Sequence, residues 1–321
     1  MKHYYKTTNF HVSIWVTLIC LFLIGCSDSN NGSPSKNKKN TPPLDENFVC
    51  SYSSTQKGTR SFGMSIVSTT NAYSFDDNIE KLKELGGNFQ TLNLPWNSIE
   101  GPGSGTTSGA FTDPGGALAA FAAYASANNV KISLTIMPID TGFEVVPSDL
   151  ENIDYYEGSL IMATRYKKML DFVFTQIDPS LLTAVFIGNE LDIYNPGSDV
   201  NFWTEYGAFL NTLHYLMDNN APTHSDVKIG FTVTMDSLID EDKVLAGGGN
   251  SIATFQTYES FVDLIGVTYY PLHSFKVKKP EVVTEDFKAL TNNTSKPISL
   301  QEVGYPTSKE NNSNQQLQAQ F

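Results

Sequence analysis

The stretch Leu182-Thr-Ala-Val-Phe-Ile-Gly188 is apolar almost throughout and runs directly into Asn189-Glu190. A short apolar run bounded by a glycine and rich in β-branched and aromatic residues reads as a strand buried on both faces. On either side lie longer segments with helical spacing, Leu160 to Ile177 before it and Asn201 to Met217 after it. A doubly buried strand between two helices is the repeating unit of a parallel sheet, because parallel neighbours can only be joined by a crossover.

The same unit recurs outward in both directions. Towards the N-terminus, Val130–Met137, Phe89–Trp96 and Phe62–Ser68 read as strands. The helices between them are an Ala-rich stretch ending at Asn129, opened by Asp113-Pro114, and a segment with Ile79, Leu82 and Leu85 on one face. Ser74 is its candidate cap, and Gly86-Gly87 closes it. Towards the C-terminus, strands are expected at Val227–Val233, Asp263–Tyr270 and Pro297–Glu302, with helices at Ile252–Phe261, Glu281–Leu290 and from about Asn314. Seven strand–helix units with short joins, and no glycine-rich phosphate fingerprint after the first strand, favour an α/β (β/α)8 barrel over a doubly wound sheet. An eighth unit is not visible before Phe321. A barrel left open exposes two strand edges, which favours a C-terminally truncated chain as the explanation.

In such a barrel the chemistry sits where the strands end. Glu190 follows the fourth strand and Glu302 closes the seventh, each a carboxylate after a run of buried residues. By position alone the pair fits either catalytic work or rim salt bridges. Other candidates at strand ends are Asn189, Tyr269, Tyr270, Trp96 and Asp140, with Asp192, Tyr194 and His273 nearby. Trp96 suits either a stacking platform or packing. Tyr269 should point away from Tyr270 if the strand is regular. Trp203 reads as core, and His214 and His224 lie near no strand end. No His/Cys/Asp group has metal-ligand spacing, so neither a metal nor another cofactor is expected.

Three segments carry a resemblance. Phe186-Ile-Gly-Asn-Glu190 resembles the fourth-strand Asn-Glu motif of clan A glycoside hydrolases, and Leu300-Gln-Glu-Val-Gly-Tyr-Pro306 resembles that clan's seventh-strand nucleophile segment. Asp263-Leu-Ile-Gly-Val-Thr-Tyr-Tyr-Pro271 is similar to the sixth-strand segment of the clan's endo-β-1,4-galactanases. The resemblance spans roughly Ser61 to Pro306 and has its motifs in the clan's order. It implies a retaining glycosidase with Glu302 as nucleophile, Glu190 as acid/base, Asn189 on the sugar 2-hydroxyl and Tyr270 bonded to Glu302. A transglycosylase would use the same residues. A non-catalytic glycan-binding lipoprotein on the same barrel is the alternative from another class, and the presence of both Glu190 and Glu302 weighs against it.

The formal charge of −13 repels phosphate backbones, which argues against nucleic acid as a partner and leaves neutral sugars open. The N-terminus carries Lys2 and Lys6 and then the mostly apolar run Val12–Ile24, the pattern of a secretory signal. The run ends in Leu23-Ile24-Gly25-Cys26, which resembles a bacterial lipobox and implies cleavage before Cys26 and lipid on its sulfur. Loss of the two lysines would take the net charge to −13 − 2 = −15. Of Cys20, Cys26 and Cys50 only the last would then remain an ordinary thiol, so no internal disulfide is available. Residues 26–57 are expected to be a disordered tether, since the polar run from Ser27 to Asn47 has almost nothing to bury. The expected organisation is a signal at 1–25, this tether, and a barrel over 58–321. Ser27 after Cys26 resembles outer-membrane rather than inner-membrane sorting if the source is Gram-negative, and the expected location is the cell envelope.

Overall fold

The computed structural model describes residues 61–65, 75–151, 155–197, 199–273, 276–308 and 311–321. The signal, Cys26, the tether, Cys50 and Ser74 lie outside the described residues. Residues 61–66 and 79–321 form one compact unit. Of the other, 1–60 with 67–78, only 75–78 are described, the first turn of a helix.

Seven parallel strands run through the principal sheet: β1 (Gly63–Ser65), β2 (Phe89–Pro95), β3 (Lys131–Asp140), β4 (Leu182–Asn189), β5 (Ile229–Thr234), β6 (Leu264–Tyr269) and β7 (Ile298–Val303). They lie side by side in chain order and every neighbouring pair is parallel. Helices follow the strands in turn: α1 (Phe75–Glu84), α2 (Ala117–Asn128), α3 (Tyr155–Gln176), α4 (Phe202–Asn219), α5 (Ser251–Tyr258), α6 (Val283–Asn293) and α7 (Gln315–Gln320). This is the (β/α) repeat expected, with β1 and β7 as its two edges and no eighth parallel strand among the described residues; a two-residue strand, Phe143–Glu144, pairs antiparallel with the end of β3.

Local signals explain most boundaries. Asp113 acts at a distance: Pro114–Gly116 forms a 3₁₀ turn first, and the Asp113 carboxylate then accepts from the N–H groups of Leu118 and Ala119 at 2.8 and 3.1 Å. Asn314 caps α7 by accepting from Leu317 N–H. Two expectations shift. Strand β3 runs three residues past Met137, so Asp140 is its last residue. Leu85 falls outside α1 and is exposed, because the glycine pair ends the helix a residue earlier than the apolar spacing suggests.

The sheet's two faces differ. Val267 and Tyr269 on β6, and Phe231 and Val233 on β5, turn outward to the helices. There Phe231 joins Tyr206, Phe209, Phe255 and Tyr258 in a continuous aromatic layer, while Tyr269 packs on Phe287 and Phe321. Each such ring, fully buried, stabilises the fold by roughly 1.5–3 kcal/mol. The alternate residues face inward. Phe186 fills the interior beside Gly230 and Gly266, where a Cβ would come within about 3.0 Å of its ring. Glycine at both positions is what lets β5 and β6 curve around that side chain.

Candidate active site

Strand β4 ends in two unusual backbone positions. Gly188 has φ +88, and Glu190 is left-handed at φ 45, ψ 50. For a non-glycine residue this costs roughly 1–2 kcal/mol and persists only where neighbours over-determine it. Here the 3₁₀ turn Leu191–Ile193 folds back on Glu190, and Asp192 pins that turn. The Asp192 carboxylate accepts from Thr234 N at 2.7 Å, Thr234 Oγ1 at 2.5 Å and Lys243 Nζ at 2.6 Å. Asp192 is thus a buried clamp between the β4 and β5 ends, not a residue of the rim.

The clamp leaves the Glu190 carboxylate aimed at two hydroxyls. Thr268 on β6 donates to Oε1 at 2.8 Å, and Thr141, just past β3, donates to Oε2 at 3.1 Å. Burial pushes the Glu190 carboxyl up from its ordinary 4.5; these two bonds oppose the rise, and the charges of Asp192 and Asp140 add to it.

Glu302 reaches the same face through an irregularity. Leu300 pairs with Val267, but Glu302 pairs with Thr268, so one extra residue intervenes on β7. In unbroken register Glu302 would pair with Tyr269, whose side chain points to the helices. The bulge at Gln301 turns Glu302 to the inward face that carries Thr268. Thr268 therefore stands in register with one carboxylate and bonds the other.

Tyr270 Oη donates to Glu302 Oε2 at 2.9 Å, the contact that the sequence motif implied. Burial raises the Glu302 carboxyl, the Tyr270 bond lowers it, and the nearby charges of Glu190 and Asp140 raise it. The charge of Glu190 thus acts on Glu302, and both carboxyls are raised from their ordinary 4.5. The phenol of Tyr270 is itself pushed well up, chiefly by burial and then by Glu302, so it stays a donor. Gly304 makes room for it: a Cβ there would lie 2.4 Å from the Tyr270 ring.

Asp140 pairs in register with Asn189 and accepts from its Nδ2 at 3.2 Å, which orients the amide beside Glu190. Asn189, Asp140, Glu190, Tyr270 and Glu302 are thus brought together. Two expected site residues are not. Trp96 is fully buried: β2 ends at Pro95, and Trp96 opens a helical turn that swings its ring into the core. There it packs edge-on to Tyr166 at 5.0 Å and its Nε1 donates to Glu100 at 2.7 Å. Tyr269 faces outward as strand alternation requires, 1% exposed, and donates to Asp286 on α6 at 2.8 Å. Both are packing residues, because each ring gains more from the apolar helix layer than the open strand ends offer.

Trp203 lies in the core, with Nε1 donating to the Ala246 carbonyl. Tyr194 is half-buried against Phe202. His224 pairs with Asp171 at 2.7 Å, and His214 lies 3.7 Å from Asp218, both on helix-side surfaces. The His273 side chain is outside the described residues. Among the described residues no group of three or more His, Cys, Asp or Glu could hold a metal. Sequence reasoning missed Thr141, Thr268 and Gly304. For Thr268 a signal existed: Gly266, Thr268 and Tyr270 share one face by alternation.

The parallel sheet in chain order, with its helices, defines a class of fold: the (β/α) TIM barrel, with seven of its strands among the described residues. The sequence matches no family model and no curated protein. Among solved structures, the chain is similar to the GH53 catalytic domain of Ignisphaera aggregans, with TM-score 0.51, 18% identity, and 75% of this chain covering 66% of that one. A fungal β-1,4-galactanase gives TM-score 0.51 at 15% identity, with 72% and 67% covered. The exo-β-1,4-mannosidase of Opitutaceae bacterium strain TAV5 gives 0.51 at 15%, with 73% and 42% covered. This chain spans about two thirds of the first two and under half of the third.

Proposed function

We propose that this chain is a retaining glycoside hydrolase of clan A, nearest in motif to the endo-β-1,4-galactanases, that cleaves glycosidic bonds in a polysaccharide or oligosaccharide. One observation carries the reading: two half-buried glutamates, each at a strand end and each with its own hydroxyl partners, share one face and meet at Thr268.

The motif positions assign the two different tasks. Glu302, whose ionised form the Tyr270 phenol favours against the effect of burial, attacks as a carboxylate the anomeric carbon, forming a glycosyl ester. Glu190 starts protonated, gives its proton to the leaving oxygen, then takes one from the incoming water. Asn189, its amide steadied by Asp140, hydrogen-bonds the sugar 2-hydroxyl. Neutral carbohydrate is the partner; no cofactor enters.

The direct test is a reducing-sugar assay over a panel of plant and microbial polysaccharides, with the anomer of the first product read by proton NMR. Release of reducing ends with retained configuration is expected. Inverted product, or no release from any polymer, would overturn the reading. Activity should trace a bell against pH, rising as Glu302 ionises and falling as Glu190 loses its proton. Because burial raises both carboxyls, both limbs should lie above 4.5. An acid limb below that value would contradict the burial of Glu302.

We also propose that Cys26 is the lipidated N-terminus of the mature protein, tethered in the cell envelope by residues 26–57. Cys26→Ala should move the protein from the membrane to the soluble fraction on cell fractionation. Retention in the membrane would mean an uncleaved anchor instead.

A further inference from the structure

Strand β6 presents alternating groups to the interior: Gly266, then Thr268, then, just past its end, Tyr270. The last two reach different carboxylates, Thr268 to Glu190 and Tyr270 to Glu302. Thr268 is almost wholly buried at 1% exposure, so its hydroxyl has no solvent to bond instead. Its place is doubly fixed, by register with Thr234 on β5 and with Glu302 on β7. Thr234 is in turn held by Asp192, the clamp on the Glu190 turn.

We propose that Thr268 is a positioning residue that holds Glu190 opposite Glu302 and steadies the carboxylate left when Glu190 gives up its proton. The inference rests on the reading of Glu190 as acid/base. The groups facing Glu190 show why such a partner is needed. Asp140 at the end of β3 and Glu302 on β7 are like charges, and Asp192 is a third, partly neutralised by Lys243. All of these, with burial, favour the protonated form. Among the described residues, Thr268 and Thr141 oppose them by donating to its oxygens. As the proton passes from Glu190 to the leaving oxygen, the Thr268 O–H is already aimed at the oxygen that becomes charged. No reorganisation is required at that moment.

The test uses the full chain with Thr268→Val, which swaps the hydroxyl for a methyl of like size, and Thr268→Ser, which keeps it. Thr268→Ala is a second hydroxyl-free variant should valine disturb the fold. Glu190 is followed by carbon-13 NMR in protein labelled at the glutamate carboxyls, its signal assigned with Glu190→Gln. Loss of a hydrogen bond to a carboxylate should raise the Glu190 midpoint by roughly one pH unit in Thr268→Val, with Thr268→Ser near wild type. On 4-nitrophenyl and unactivated alkyl glycosides, the valine variant should lose kcat about tenfold on the alkyl substrates, with KM held and little loss on the nitrophenyl ones. A valine variant that is folded and titrates as wild type would overturn the proposal, as would a serine variant that titrates like valine. The NMR midpoint needs no turnover. A shifted midpoint in a protein inactive on every glycoside would therefore sink the glycosidase reading and keep the contact. Activity with an unmoved midpoint would do the reverse.

Discussion

Alanine at Glu302 is expected to abolish turnover on every substrate, by on the order of 10⁴-fold or more, because it removes the carboxylate that forms the glycosyl ester. Alanine at Glu190 should behave differently. Its loss, roughly 10²–10⁴-fold, should depend on the leaving group, since a good leaving group needs little protonation. Such a substrate should still glycosylate Glu302 and then stall for want of a base. Azide needs no base, so it should restart the stalled Glu190→Ala enzyme and give a glycosyl azide of retained configuration. With Glu302→Ala, azide should occupy the vacated place and give the inverted product. The reverse pattern would exchange the two roles. Unchanged hydrolysis in both variants would remove these residues from the chemistry.

The second large effect is on stability. Arg165 on α3 is fully buried and joins Glu100, after β2, to Asp149, after β3. Its Nη1 donates to Asp149 at 2.7 Å, and its Nε bonds Glu100, which also accepts from Trp96. Burial by itself would lower the Arg165 guanidinium, but the bonds to Asp149 and Glu100 hold it up. The Asp149 carboxyl is held below its ordinary 3.8, chiefly by Arg165. Arg165→Met keeps the stem and removes the charge, leaving two carboxylates without their cation. Breaking a buried pair on one side costs about 3–5 kcal/mol, a fall in Tm on the order of 10 °C for a domain of this size. Adding Glu100→Gln should recover part of it, which separates stranded charge from lost packing.

The pH dependence has a definite sign. A carboxyl depressed in the folded state stabilises fully above its unfolded pKa and loses that contribution as pH falls through its folded pKa. The deficit of Arg165→Met should therefore be complete at pH 7 and shrink in acid below about 3.8, the ordinary value for Asp149. A thermal melt of equal midpoint for both proteins at pH 7 would mean that the triad contributes nothing.

Much of this was legible in the chain because it depends on local pattern. Apolar runs of strand length, interleaved with helical spacing, specify a parallel sheet without knowledge of any contact, and a parallel sheet puts its strand ends on one side. Glu190 and Glu302 follow two such runs, so their place at the strand ends came from sequence alone. The opposed directions of Tyr269 and Tyr270 came from strand alternation. The Tyr270 bond to Glu302 was implied by the motif.

What the sequence did not hold was register and the fate of residues just beyond a strand. Glu302 faces inward only because β7 carries an extra residue against β6 at Gln301, a property of the pair and not of either strand. Trp96 was decided by whether the chain after Pro95 continued straight or turned. The turn closed because Glu100 and Tyr166, 4 and 70 positions away, offered its ring a bond and a contact. Arg165 and Glu100 stand 65 residues apart and find each other only after α3 has packed. Thr268 looked like any buried hydroxyl until Glu190 took its left-handed turn towards it. Period and polarity are written along the chain; pairings between distant segments are chosen by packing, and those pairings aim the carboxylates.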